Sequence, residues 1–205
     1  MQRPEVSAEA PAAAAADEDR RLVHQARAGD AGAFEALVHR YQGWVFTLAL
    51  RMVGERAEAE DVAQEVFLKA YRGLAGFKGA SRFSTWLYAI ATHHCLNHLR
   101  ARGRRGGSSG RGRGASGDDL PAAVERLPDG APRADALLER ADLARLVQAE
   151  LAHLREEHRL ILVLRDIQGL PYGEIARTLG LELGTVRSRL HRARTEMKAR
   201  LTPHL

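Results

Sequence analysis

The stretch LPYGEIARTLGLELGTVRSRLHRAR, Leu170 to Arg194, decides how this chain is read. Pro171 suits the first turn of a helix, where the amide it lacks would have no partner anyway. Ile175, Ala176 and Leu179 recur at helical spacing and give that helix an inner face. Ala176 is small enough for a second helix to cross closely. Gly180 stands where the connecting turn needs a left-handed backbone. Val186 and Leu190, four residues apart, anchor the second helix on the first. Two helices about a turn glycine make the helix-turn-helix pattern. Left outward on the second helix are Thr185, Arg187, Ser188, Arg189, His191 and Arg192, with no acid until Glu196. Arginine can bond guanine edges, and Ser, Thr and Arg can hold phosphates, so this face suits the major groove of duplex DNA.

Upstream of this motif the composition changes abruptly. The run RARGRRGGSSGRGRGASGD, Arg100 to Asp118, is built from Gly, Ser and Arg, with no apolar residue larger than alanine. It cannot bury enough surface to offset its ordering entropy and reads as a flexible linker. Pro121, Pro128 and Pro132 punctuate its continuation. The six arginines between Arg100 and Arg113 meet no acid. Two readings stand: an inert solvated tether, or a strand that follows nucleic acid by charge alone.

Both flanking blocks follow the helical period, and the predicted class is all-α. In the first, Leu22, Val23 and Ala26 open an amphipathic stretch that Gly29-Asp30 interrupts. Phe34, Leu37, Val38, Tyr41, Val45, Leu48 and Met52 then form one face, closed by Gly54. A third helix, from about Ala57 to Gly73, is expected to bury Val62, Val66, Leu68 and Tyr71 or their neighbours. A fourth starts near Ser84 as N-cap and carries Leu87, Ile90, Ala91, Leu96 and Leu99. In the second block Leu143, Leu146, Val147, Leu151 and Leu154 share the helical period. The predicted domains are a disordered leader 1–18, a helical bundle 19–104, a linker 105–133 and a helix-turn-helix domain 134–205.

With 205 residues and a formal net charge of +5, the chain suits two small domains and a polyanionic partner. One cysteine, Cys95, leaves no internal disulfide framework and suits a reducing cytosol. No apolar run approaches the ~20 residues needed to cross a bilayer. The alanine-rich start, with Glu5 and Glu9, lacks the basic opening and apolar middle of a secretory signal. A cytoplasmic location is expected.

Two further stretches carry chemistry. In AEDVAQEVFLKAYRGL, Ala59 to Leu74, the residues Asp61, Gln64, Glu65 and Leu68 share one side of a helix. In FKGASRFSTWLYAIATHHCLNHLR, Phe77 to Arg100, aromatic rings (Phe77, Phe83, Trp86, Tyr88) interleave with Lys78 and Arg82 across a glycine-containing loop. Most of these rings, Trp86 among them, read as core. Any that stay accessible beside cations suit single-stranded DNA, where stacking is worth ~1–3 kcal/mol per base. His93, His94, Cys95 and His98 raise the question of zinc. Adjacent residues on one helix point in different directions, so no metal is expected.

The run from Gly169 to Arg194 resembles the DNA-reading segment of extracytoplasmic-function (ECF) sigma factors of the sigma-70 family. Their recurrent G-T-V-x-S-R-L-x-R-A-R is filled by Gly184, Thr185, Val186, Ser188, Arg189, Leu190, Arg192, Ala193 and Arg194. Asp61, Gln64, Glu65 and Phe67 are similar to that family's D-x-x-Q-E-x-F helix, which docks on the clamp helices of the polymerase largest subunit. The segment from Phe77 resembles the one that melts the minus-10 element and captures an extruded nontemplate base. The resemblance implies a sigma-two-like bundle and a sigma-four-like helix-turn-helix domain. It implies minus-35 contacts from Thr185, Arg187, Ser188, Arg189, His191 and Arg192. Minus-10 contacts would come from Lys78, Arg82, Phe83, Trp86, His93, Asn97 and Arg100, and core-polymerase contacts from Asp61, Gln64, Glu65 and Leu68. Histidine at 93, where the family commonly has asparagine, leaves the preferred minus-10 base open. The implied partners are core RNA polymerase, duplex promoter DNA and its nontemplate single strand, and an anti-sigma factor is compatible with them. No cofactor, catalytic residue or enzymatic activity is implied.

Two alternatives are weighed against this. A free-standing regulator would need a dimerisation, ligand or phosphoacceptor domain, which the first block does not offer. An RNA-binding adaptor would explain the linker and neither helical block.

Overall fold

The computed structural model describes residues 9–106 and 134–204, with side chains described for 16–104 and 141–204. The linker reading of 107–133 lies outside the described residues. The described secondary structure is helical: α1 (Glu9–Arg27), α2 (Ala31–Val53), α3 (Arg56–Gly73), α4 (Phe83–Gly106), α5 (Ala134–His153), α6 (Glu156–Leu162), α7 (Tyr172–Leu179) and α8 (Leu183–Leu201).

Local chemistry accounts for most of the boundaries. Asp30 caps α2 by accepting from the Ala33 amide at 3.1 Å, after Gly29 turns with a positive φ of 100°. Gly54 ends α2 in the left-handed region, φ 88°, its amide donating to the Leu50 carbonyl. Two boundaries differ from the sequence reading. The helix expected to start at Ser84 starts at Phe83, and the Trp86 amide reaches the Arg82 carbonyl at 3.2 Å, which puts Arg82 in the capping position. The leader expected to be disordered through residue 18 is helical from Glu9. Its alanines carry the highest helix propensity, and Pro11 falls in the first turn, where proline is tolerated. Asp19 then holds the helix to its neighbour, accepting from Arg40 at 2.7 Å and from the Tyr41 hydroxyl.

Helices α1 to α4 form one bundle around Leu37, Leu48, Met52, Val62, Val66 and Leu87, all nearly inaccessible. In α3 the buried residues are Ala59, Val62, Val66 and Ala70. Leu68 and Tyr71, read as buried neighbours of that face, are 40% and 57% exposed. They lie on the far side of the helix, where Tyr71 makes an edge contact with Phe34 at 5.0 Å. In the second half α6, α7 and α8 close around Ile161, Leu164, Ile175 and Leu190. Of the α5 residues that share the helical period, Leu143 is 52% exposed, whereas Leu151 is buried, as is Leu154 just past the helix. A π-helical turn, Val163–Ile167, follows α6 and brings Asp166 onto Arg194 through two bonds, at 2.9 and 2.5 Å.

The two halves pack against each other at the C-terminus of α2. A helix end leaves its last carbonyls without intrahelical donors. Here side chains from other helices supply them. Gln148 of α5 donates to Leu50 and Arg51 at 3.4 and 3.5 Å, and Arg102 of α4 donates to Val53 at 3.3 Å. Arg159 of α6, 8% exposed, donates to Met52, and also to Ala152 at 2.6 Å and Leu154 at 3.3 Å. Its positive charge meets the negative end of the α2 dipole. Nearby, Gln168 donates to the Trp44 carbonyl at 3.3 Å, and α7 lies along α4.

Candidate nucleic-acid interface

The helix-turn-helix is formed by α7 and α8 about Gly180, whose φ of 62° is left-handed as the turn requires. Val186, Leu190 and Ala193 bury one side of α8. The opposite side exposes Arg187, Ser188, His191 and Arg192, while Thr185 and Arg189 are half-buried. No ion pair among the described residues engages Arg187 or Arg192. Arg189 differs, leaning back to Glu157 of α6 at 3.2 Å. Ser188 donates to the Thr185 carbonyl at 3.1 Å, so its hydroxyl is already turned toward its own helix. Arg165 stacks over the Tyr172 ring at 4.8 Å and bonds the Leu170 carbonyl, fixing the approach to α7.

The second candidate surface lies between the α3–α4 connection and α4 itself. Phe77, Phe83 and Trp86 form a knot with centroids 5.0 to 6.2 Å apart, and Tyr41 joins it through Phe83 at 5.6 Å. Phe83, read as a DNA-contacting ring, is only 4% exposed, because the bundle closes over the start of α4. Trp86 is half-buried, its indole against Gly73, where a Cβ would sit only 3.2 Å from the ring. Trp44 stacks flat on Tyr88 at 3.6 Å. Lys78 and Arg82 are exposed on the connecting loop, which turns at Gly79 with φ 72°. Further along α4, His93, Asn97 and Arg100 are exposed at steps of four and three residues, and so share a face. His93 and Asn97 are joined by a 2.8 Å hydrogen bond.

The histidine–cysteine group does not converge. Cys95 is buried, and burial pushes its thiol up to about 12. His94 accepts from Lys69 at 2.6 Å, and burial, followed by that lysine, pulls its pKa down. His98 faces Glu58 at 3.3 Å. Among the described residues, no three such side chains are grouped to hold a metal ion.

A third surface is the outer face of α3, where Asp61, Gln64, Glu65 and Leu68 are all exposed and aligned. Tyr71 extends it, a residue that helical periodicity assigned to the core.

Residues 37–105 match Sigma-70 region 2, and residues 144–197 match Sigma-70 region 4. The chain is 40% identical to the RNA polymerase sigma-H factor of Pseudomonas aeruginosa over 92% of its own length and 96% of the relative's. It is 38% identical to the ECF RNA polymerase sigma-E factor of Escherichia coli K12, over 90% and 95% of the two chains. The solved structure of CnrH in complex with the cytosolic domain of CnrY is similar with a TM-score of 0.64 and 28% identity, covering 91% of this chain and 99% of that one. The chain belongs to the ECF branch of the sigma-70 family.

As a sigma factor it is a non-catalytic subunit that directs RNA polymerase to promoters, and regions 2 and 4 are its promoter-recognition domains. The region 4 match contains α7, the Gly180 turn and α8 as far as Met197. The region 2 match contains α3 and the aromatic knot but begins inside α2, so α1 precedes it. Side chains of α1 nevertheless line a cleft with the α3–α4 loop: Arg20, His24 and Arg27 face Lys78 and Arg82 across it. The basic residues of α1 recur at helical spacing, but local spacing carries no sign of the loop they meet. No helix among the described residues is long and apolar enough to cross a membrane.

Proposed function

We propose that α8 reads the minus-35 element in the major groove, with Arg187, Arg192 and His191 reaching furthest and Thr185, Ser188 and Arg189 lining the inner edge. The observation that carries this is the outward face of α8, basic and free of acids from Thr185 to Thr195, presented beyond the left-handed Gly180 turn. The cations hold phosphates and guanine edges, and the small residues let the helix sit close to the groove. At the downstream element Lys78 and Arg82 contact the displaced nontemplate strand, and His93, Asn97 and Arg100 meet the DNA along α4. Phe83 and Trp86 serve as the rigid floor beneath that contact. The α3 face of Asp61, Gln64, Glu65 and Leu68 docks on core polymerase, its acids favouring arginine partners and a fast, specific encounter.

In this reading the factor works in the cytoplasm. An anti-sigma protein holds it when idle, a reading supported by the similar solved structure, in which CnrH is in complex with the cytosolic domain of CnrY. In vitro transcription tests the core of the proposal. Added alone to core polymerase, the chain should yield promoter-specific transcripts. Tight, specific duplex binding without polymerase, and no transcripts with it, would refute the reading.

A further inference from the structure

The cleft between α1 and the α3–α4 loop holds about 480 Å³, within the ~300–1,000 Å³ range of sites that seat small ligands. Phe77 and Phe83 line its floor, and Lys78 and Arg82 stand on one wall. The opposite wall comes from α1. Arg20, His24 and Arg27 fall at steps of four and three residues and are exposed along one stripe. At ~1.5 Å per residue the stripe is about 10 Å long, the span of roughly three stacked nucleotides. Of the two acids that line the cleft, Asp17 is paired with Arg20. Asp19 also borders the cleft, but its carboxylate is taken by Arg40 and Tyr41.

We infer that Arg20, His24 and Arg27 of α1 form a second jaw on the melted nontemplate strand, gripping its sugar-phosphate backbone while the loop holds the extruded base. Long exposed cations along a rim position a strand without reading its sequence, because phosphates are alike at every nucleotide. A jaw on each side of the cleft keeps a single strand from swinging away, as one basic wall alone would allow. Arg27 also ties the jaws together, donating to the Ala75 carbonyl at 3.4 Å. The inference rests on the reading of Lys78 and Arg82 as the minus-10 capture wall.

The test uses holoenzyme assembled from the full chain and core polymerase. The probe is a labelled nontemplate strand spanning the minus-10 element of a promoter that this holoenzyme transcribes. Each lost phosphate contact flattens the plot of log affinity against log salt by ~0.7 on a single strand. Arg20→Ala should therefore flatten it by about 0.7 and Arg20→Ala/Arg27→Ala by about 1.4. Arg27→Lys, which keeps the charge, should behave as wild type, and Asp17→Asn should bind more tightly by releasing Arg20. A wild-type slope in the double variant, with Lys78→Ala still weakening binding, overturns the second jaw and leaves the capture wall standing. A wild-type slope in both overturns the two together.

Discussion

Arg159 shows how much one residue can contribute to the architecture. Its guanidinium is buried with no acid bonded to it among the described residues, and burial pulls its pKa down, opposed by Glu156. Three carbonyls, on α2 and at the end of α5, compensate. A hydrogen bond to a charged group contributes ~1.5–3 kcal/mol, and stranding buried acceptors has its own cost. Arg159→Leu should therefore lower unfolding stability by about 3 kcal/mol in a urea titration. An unchanged midpoint would mean that water replaces the guanidinium. Glu196 makes a smaller, pH-dependent contribution. The His158 hydrogen bond at 2.9 Å holds its carboxyl below the usual carboxylate value, with Arg200 assisting. A carboxyl depressed on folding binds its proton more readily when unfolded, so its contribution is present above the ordinary carboxylate value of 4.5 and fades as pH falls below it. Glu196→Gln should flatten the acid limb of stability against pH below that value.

At the scale of the helix, function depends on which face is left outward. The outer faces of α3 and α8 carry opposite chemistry, one acidic with apolar Leu68 and Tyr71, the other basic. Arg187→Ala should weaken minus-35 duplex binding by ~1–3 kcal/mol if it bonds a base edge, measured at one stated salt concentration. Asp61→Arg should reduce association with core polymerase while leaving that duplex contact unchanged. Should Arg187→Ala transcribe normally at limiting factor, the assignment of α8 is wrong. Helix α1 adds a further lesson. Its alanine-rich start has high intrinsic propensity, but its place in the bundle comes from Leu22, Val23 and the Asp19–Arg40 pair.

The two described halves are closed on each other. Glu174 of α7 lies 3.5 Å from Arg82, and Glu156 of α6 lies 4.0 Å from Arg100. Two cations assigned to the minus-10 strand thus face carboxylates of region 4. Such exposed pairs contribute little by themselves, and Arg159, Gln148 and Gln168 supply the stronger hold. With α8 packed on α7 and α7 on α4, two interaxial steps of ~8–10 Å separate the recognition helix from α4. Promoter elements about 25 base pairs apart lie roughly 85 Å apart along duplex DNA. With α8 and α4 reading the two elements as proposed, the halves part for both to be read at once. Dyes placed through Gln42→Cys and Lys198→Cys, with Cys95 shielded by burial, should transfer energy efficiently in the free factor and lose that transfer on promoter-bound holoenzyme. Unchanged transfer in the holoenzyme would contradict the opening.

By itself the sequence determined the helical class, the Gly180 turn, the basic face of α8 and the aligned Asp61, Gln64, Glu65 and Leu68. Each of these follows from local spacing and side-chain chemistry, which the helical repeat makes legible. Periodicity could not tell which of two moderately apolar faces would be covered, and so it misplaced Leu68 and Tyr71 inside, while the family resemblance offered as a DNA contact a Phe83 that the bundle covers. Only the tertiary structure decided those, because burial depends on which helix arrives as neighbour. It also decided the capping of α2 by Arg159 and Gln148 from across the linker, and the cleft that α1 completes. Both join residues far apart in the chain, and no local pattern records such a meeting.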